Sequence, residues 1–130
     1  FALEFNAKIK GGALVYTLNV YDAHVFVTGN ACGGCPTDVM LECTPPADNT
    51  GEWVSPEFTA SGELRAYIQV GDRDWWRTEF TLKNGSEIFF REVTDIPSSW
   101  EDALGADYSV AASAGKRLYV SFDSGTGSVK

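Results

Sequence analysis

Aromatic and arginine side chains alternate with apolar ones in the middle of the chain, between residues 63 and 93. Successive side chains of a β-strand point to opposite faces, so the alternation predicts one face with a shared character. That face carries Arg65, Tyr67, Gln69, Trp75, Arg77, Glu79, Phe89 and Arg91. Aromatic rings stack on the apolar C–H side of a sugar, while arginine and glutamate hydrogen-bond its hydroxyl groups. These residue types therefore point to carbohydrate binding.

The same face has two other interpretations. The rings of Tyr67, Trp75 and Phe89 also suit cross-strand pairs that stabilise a twisted sheet, with arginines stacked on them. A protein interface is the third interpretation. Under the carbohydrate hypothesis, the ligand contacts on this face are Trp75, Tyr67, Arg77 and Arg91.

Trp100 lies in a different setting, because it follows a Pro-Ser-Ser loop and precedes Glu101 and Asp102. A loop tryptophan is either a plug beneath the loop or a ligand platform at the rim of the domain. The platform hypothesis adds Trp100 and Glu101 to the predicted carbohydrate-binding residues. Trp76, on the inward pleat, and Trp53 are predicted to lie in the core.

The apolar residues recur with a period of two, which is typical of strands. The clearest alternating runs cover residues 14–20, 64–70, 76–82 and 118–122. Shorter strands are predicted over residues 3–9, 24–28, 38–43, 53–59, 86–93 and 107–110. Only residues 97–104 predict a short helical turn.

Turn residues separate these runs. Asn84-Gly85 supplies two positions that tolerate positive φ, which predicts a tight hairpin. About 8–10 short strands without a long amphipathic helix predict an all-β, antiparallel β-sandwich of immunoglobulin-like or carbohydrate-binding-module-like architecture, in preference to a closed barrel. No linker stands out, so residues 1–130 are expected to form one domain.

Composition excludes several classes of partner. Eighteen acidic against 10 basic residues give a net charge of −8, which repels nucleic acid and anionic membrane surfaces. No apolar run approaches the roughly 20 residues that span a bilayer. The chain starts without an initiator Met or signal-peptide features, so we expect an exported protein that has been processed or trimmed.

Three cysteines lie close together, at Cys32, Cys35 and Cys43. The only histidine is His24, so a zinc site lacks a convincing fourth ligand, and no metal or other cofactor is expected. One local disulfide with a spare thiol, or three buried reduced thiols, remain open alternatives. A redox role for Cys32-Gly-Gly-Cys35 is disfavoured because no βαβ pattern surrounds it.

Several short motifs occur in an order that resembles a known family. They are Gly62-Glu63-Leu64-Arg65, Asp74-Trp75-Trp76-Arg77, Glu87-Ile88-Phe89-Phe90-Arg91, Trp100 followed by Gly105, and Leu118-Tyr119-Val120-Ser121-Phe122-Asp123 with Thr126-Gly127. This order resembles the outer-membrane glycan-binding domains of the starch-utilisation type (SusE and SusF) of Bacteroidetes. The segment around Trp100-Glu101 is also similar to starch-binding modules of amylolytic enzymes, in which the tryptophan stacks on sugar. A weaker resemblance is to the C-terminal domain of expansins and grass-pollen allergens.

The resemblance implies a non-catalytic carbohydrate-binding module, extracellular or anchored at the outer membrane, and one module of a larger surface protein. It also implies a glycan ligand and other proteins of a glycan-uptake complex as partners, and we expect a monomer. The residues point away from an enzyme, because one histidine offers no clear Ser/His/Asp constellation and no phosphate-binding loop occurs. The alternative is a structural or protein-interaction domain, and a two-carboxylate hydrolase comes third.

Overall fold

Antiparallel strands dominate the computed structural model, which describes residues 1–34, 40–48, 50–91 and 99–130. The strands are β1 (Ala2–Lys10), β2 (Ala13–Tyr21), β3 (His24–Thr28), β4 (Leu41–Glu42), β5 (Trp53–Val54), β6 (Gly62–Glu63), β7 (Arg65–Gln69), β8 (Glu79–Lys83), β9 (Glu87–Phe90), β10 (Ala111–Ala112), β11 (Leu118–Ser121) and β12 (Thr126–Val129). The helices are α1 (Trp100–Leu104) and the short 3-10 segments Asn30–Cys32, Trp75–Thr78 and Ala106–Tyr108. The predicted all-β, antiparallel class is confirmed; α1 lies within the predicted helical turn, and the three 3-10 segments were not predicted.

Eight of the strands form one curled sheet, in the order β4-β3-β7-β8-β9-β12-β11-β5. Its two ends approach each other, because Thr44, just beyond β4, exchanges backbone hydrogen bonds of 2.8 and 3.0 Å with Val54 on β5. The two halves of the sheet therefore face each other across a shared core. Among the described residues, β6 pairs with β10 and β1 pairs with β2 in separate two-stranded sheets.

The core fills the inside of this curled sheet with alternate residues of its strands. The fully buried members include Val25, Val27, Leu64, Ala66, Phe80, Leu82, Leu118 and Val120. Trp53 packs against this cluster and meets the ring of Phe122 edge-on at 6.5 Å. Leu64, Ala66, Phe80 and Leu82 thus lie in the core, in agreement with the predicted alternating runs 64–70 and 76–82, and the core assignment of Trp53 is confirmed.

The predicted hairpin after residue 83 is also confirmed. Asn84 and Gly85 both adopt positive φ, at 52° and 72°. Glycine has no Cβ and asparagine tolerates the left-handed region, so this pair turns the chain tightly. The turn sets Lys83 opposite Glu87 and fixes the register of β8 and β9.

Several strand predictions were wrong in extent or type. Residues 106–108 form a 3-10 turn instead of the predicted strand, and β10 begins at Ala111. β5 ends at Val54 because Ser55 uses its side chain as the hydrogen-bond acceptor for the Leu118 amide (2.8 Å), and Pro56, which follows, has no amide hydrogen. Parts of three predicted elements, the strands 38–43 and 86–93 and the helical turn 97–104, lie outside the described residues. These parts are residues 38, 39, 92, 93, 97 and 98.

The first two strands form a long hairpin, with Ala2 opposite Tyr21 and Lys10 opposite Ala13. Gly11 and Gly12 make its turn with φ values of 59° and 79°. The Glu4 carboxylate accepts hydrogen bonds from Asn19 and from Arg73, which lies just after β7. This ion pair fastens the hairpin to the rest of the molecule.

Cys32 and Cys43 are buried, free thiols in the structure. Cys35 lies outside the described residues, so a disulfide that involves it stays a prediction. Burial raises the pKa of the Cys32 thiol to about 11 and that of the Cys43 thiol to about 12, the latter with a smaller contribution from Cys32 and Glu42. Both side chains are therefore uncharged near neutral pH.

This protonation state predicts slow alkylation of both thiols in the folded protein. The thiolate is the nucleophile, and a pKa of about 11 leaves on the order of one thiolate in a thousand at pH 8. The iodoacetamide rate at Cys32 and Cys43, followed by peptide mass spectrometry, should keep rising above pH 9 instead of levelling off. In urea both should react rapidly, and equal rates with and without urea at pH 8 would contradict the assignment.

A second prediction concerns Gly127 on β12. A Cβ built there would lie 2.8 Å from a methyl group of Leu82 and 2.9 Å from the carbonyl oxygen of Tyr119. Gly127→Ala should lower the free energy of unfolding by about 1–3 kcal/mol, because overpacking forces the core apart. Urea denaturation measures this change, and Thr126→Ala, at the exposed neighbouring position, is the control expected to have a small effect. Equal stabilities of the two variants would contradict the close contact.

Candidate functional site

A 3-10 helix between β7 and β8 carries two adjacent tryptophans to the surface. It spans Trp75–Thr78, and Thr78 holds it down by donating its hydroxyl hydrogen to the carbonyl of Ile68. In this conformation Trp75 and Trp76 no longer alternate between faces, and both are partly exposed. The prediction that Trp76 lies in the core is therefore wrong, because the strand that would have turned it inward begins only at Glu79.

Arginines flank both indole rings. The guanidinium carbon of Arg65 lies 5.4 Å from the centre of the Trp75 ring. Those of Arg77 and Arg91 lie 4.9 and 5.5 Å from the centre of the Trp76 ring. Distances below about 6 Å give a favourable cation–π interaction. We call these five residues the tryptophan–arginine surface.

A buried carboxylate anchors this surface from below. Glu79 is 0% exposed, and its Oε1 accepts from Arg65 Nε at 2.6 Å, while its Oε2 accepts from Arg91 Nη1 at 2.8 Å. The register of the sheet brings Glu79 close to both arginines. Glu79 lies opposite Tyr67 on β7, and the backbone carbonyl of Glu79 accepts a hydrogen bond from the Arg91 amide at 2.8 Å. A buried carboxylate is tolerated only when such partners compensate its charge.

Tyr67 lies beneath the surface and does not face solvent. Its ring stacks on Phe26 at 5.3 Å and meets Trp75 edge-on at 6.0 Å, and the residue is 1% exposed. Its hydroxyl donates to the sulfur of Met40 at 2.7 Å, and burial raises the pKa of the phenol. The prediction that Tyr67 contacts a ligand is therefore wrong in this structure; the tyrosine supports Trp75 instead.

The two predicted arginines differ in exposure. The Arg77 side chain is 49% exposed, so it remains available to a ligand. The Arg91 side chain is 6% exposed and is held by Glu79. It therefore positions Trp76, and the prediction that Arg91 contacts a ligand is wrong in this structure. Trp76 is the exposed residue that the sequence analysis missed. The sequence signal for its exposure was Gly71-Asp72, a few residues earlier, because this pair favours a turn over a continuous strand.

Trp100 and Glu101 belong to a separate cluster around Glu63. The backbone amide of Trp100 donates to both carboxylate oxygens of Glu63, at 2.9 and 3.1 Å, and Ser109 Oγ donates to the same group at 2.5 Å. The indole is 0% exposed and meets Phe89 edge-on at 6.4 Å. Trp100 is therefore a plug, and its predicted role as a ligand platform is wrong. Glu101 is exposed on α1, and its contact with a ligand stays a prediction.

Two cavities among the described residues offer further space for a ligand. One, of about 340 Å³, lies beside Arg77 and is lined by Glu4 and Phe5 of the hairpin and by Arg73 and Thr78. A larger one, of about 620 Å³, lies where β9 and β11 end. Its lining includes Trp53, Phe90, Phe122, Asp22 and Asp123. Aromatic rings beside carboxylates make this second cavity a competing candidate site.

The described residues contain no group of three or more His, Cys, Asp or Glu side chains placed to hold a metal ion. They also contain no helix of the length and apolarity needed to cross a membrane.

Comparison with known proteins identifies the family. The model of the family described as SusF/SusE starch specific CBMs matches residues 24–128. The chain belongs to this family. The match begins with β3 and leaves out the first hairpin, and it includes every residue of the tryptophan–arginine surface.

Individual relatives agree with this assignment. The chain is 32% identical over 91 residues to the outer membrane protein SusF of Bacteroides thetaiotaomicron, a match covering 67% of this chain and 16% of the relative. The crystal structure of SusF from that organism superposes with a TM-score of 0.68 at 24% identity, over 98% of this chain and 27% of the other. That similarity shows the fold. The chain thus spans a minor part of the length of SusF.

The Glu79 anchor predicts a large effect of a small substitution. Glu79→Gln keeps the shape but leaves Arg65 and Arg91 without their carboxylate, so the free energy of unfolding should fall by about 2–4 kcal/mol. Urea denaturation monitored by tryptophan fluorescence measures it. The matched control is Glu57→Gln, because the Glu57 carboxylate is 62% exposed in its pair with Arg117 and such a pair contributes about 0–1 kcal/mol. Equal effects of the two substitutions would contradict the anchor.

Proposed function

We propose that the chain is a non-catalytic module that binds starch or soluble starch oligosaccharides at the tryptophan–arginine surface. The observation that carries the proposal is the pair of partly exposed indoles, Trp75 and Trp76, held by arginines in a member of a starch-specific family. The ligand class rests on the family description, and the position of the site rests on the geometry.

The two indoles supply the apolar part of recognition. The exposed part of each ring, where no guanidinium covers it, is a flat surface on which the C–H side of a glucose unit can stack, and removal of that side from water is favourable. Arg65 and Arg91 restrict the rings before the ligand arrives, so little side-chain entropy is lost on binding. Rigid aromatic platforms are effective for this reason.

Arg77 supplies the polar part. Its guanidinium is 49% exposed next to Trp76, and it carries five N–H donors but no acceptor. It therefore suits the oxygens of sugar hydroxyl groups at the edge of a stacked ring. Starch is uncharged, so the net charge of −8 does not oppose its approach.

The wider biological setting is also part of the proposal. The similar protein SusF is an outer membrane protein and extends far beyond the matched part, which supports a surface protein in which this chain is one module. Other proteins of a glycan-uptake system are the proposed neighbours. A single small surface binds weakly, so repeated modules on one protein would raise the overall affinity for a polymer.

The test is affinity electrophoresis in gels that contain amylopectin, with calorimetry on maltoheptaose. We expect Trp75→Ala and Trp76→Ala each to weaken binding about tenfold or more, since loss of one stacked ring removes about 1.5 kcal/mol or more of apolar burial. Arg77→Ala should also weaken binding, with Arg77→Lys intermediate. No release of reducing sugar is expected on incubation with starch.

The control variant is Phe90→Ala, in the larger cavity, where Phe90 is 44% exposed. It should bind as the unmodified protein does. Loss of binding in Phe90→Ala with normal binding in the two tryptophan variants would move the site to that cavity. Absence of retardation by any α-glucan would contradict the proposed ligand, and release of reducing sugar would contradict the non-catalytic assignment.

A further inference from the structure

The hairpin of β1 and β2 has one face that is entirely apolar. Its register places Leu3 opposite Val20, Phe5 opposite Leu18 and Ile9 opposite Leu14. These pairs lie an even number of residues apart along each strand, so their side chains share one face of the hairpin. The face, here called the hairpin apolar face, consists of Leu3, Phe5, Ala7, Ile9, Leu14, Tyr16, Leu18 and Val20. The reverse face carries the charged residues Glu4, Lys8 and Lys10.

The hairpin apolar face is open to solvent in the described structure. Its seven large side chains are each between 55% and 78% exposed. With on the order of 150–200 Å² for each fully exposed side chain, this is roughly 650–900 Å² of apolar surface. Monomeric proteins rarely leave a contiguous patch of this size uncovered, and such patches mark interaction sites.

The hairpin is fastened to the molecule by its polar side, which explains why the apolar side points outward. Glu4 is bound by Arg73 from the main body, and Asn6 and Asn19 donate to the same carboxylate at 2.8 and 3.0 Å. The polar contacts that fasten the hairpin to the body are therefore made by the charged face, while Leu3 and Phe5 at one end of the apolar face also border the cavity beside Arg77. A two-stranded hairpin alone is marginally stable in water, so burial of its apolar face against a partner would stabilise it.

We propose that the partner is a second copy of this chain, bound face to face through the hairpin apolar face as a twofold dimer. A stable interface needs about 800 Å² from each partner, and the exposed area of this face, roughly 650–900 Å², is of the same size. An apolar, uncharged face is complementary to itself, as a twofold interface requires. Lys8, Lys10 and Glu4 would stay outside the contact, so no charge is buried. This proposal replaces the monomer expected from the sequence.

The first measurement is the mass in solution by light scattering after size exclusion, across a concentration series. The unmodified chain should approach twice its mass of 14.1 kDa at high concentration. Leu18→Lys should give a monomer, because it places a charge in the centre of the interface. The control is Thr17→Lys, the same new side chain one residue away on the opposite face, which should remain dimeric.

Folding of the variants is checked separately. All four tryptophans lie at residue 53 or later, in the main body, so their fluorescence reports on the folding of that part of the molecule. A monomeric Leu18→Lys with unchanged fluorescence and a dimeric Thr17→Lys support the proposal. A monomeric unmodified chain at all concentrations overturns it and points to another protein segment as the occupant. Assemblies larger than a dimer, or identical behaviour of the two lysine variants, also overturn it.

Discussion

The buried carboxylate of Glu79 is the constraint on which the rest of the surface depends. It is held between Arg65 and Arg91, and each of these arginines also reaches an indole ring. One acidic side chain on β8 therefore fixes the positions of two tryptophans that are not on its own strand. Because a buried charge without partners is costly, the three side chains hold one another in a single arrangement. That shared arrangement is the reason the surface is preformed.

Much of the fold was predictable from local pattern. Leu64, just before β7, Ala66 on β7, and Phe80 and Leu82 on β8 alternate with other residues because one side of each run must face the core. Asn84-Gly85 was predictable because few residue pairs tolerate two positive φ values. Trp76 was not predictable in this way, because a period of two does not indicate where a strand begins. A 3-10 segment in front of β8 changed the direction of its side chain.

The burial of the outer face could not be read from the sequence either. Alternation sorts side chains into two sets, but it does not tell whether the second set meets solvent or another segment. The hydroxyl of Tyr67 donates to the sulfur of Met40, and the hydroxyl of Thr81 donates to the carbonyl of Tyr108 at 3.1 Å. Both partners are distant in the sequence. Trp100 is buried because Glu63, on β6, binds its amide and draws α1 onto the sheet. Such long-range contacts decide which aromatic residues remain exposed.

The location of Trp75, Trp76 and Arg77 in a connection has an evolutionary consequence. The 3-10 segment takes no part in the hydrogen-bond ladder that joins β7 to β8, so that ladder does not constrain which side chains stand there. Under the proposed function, substitutions in this short segment would alter the preferred sugar. The curled sheet and its acidic anchor would stay unchanged while the recognition chemistry diverged.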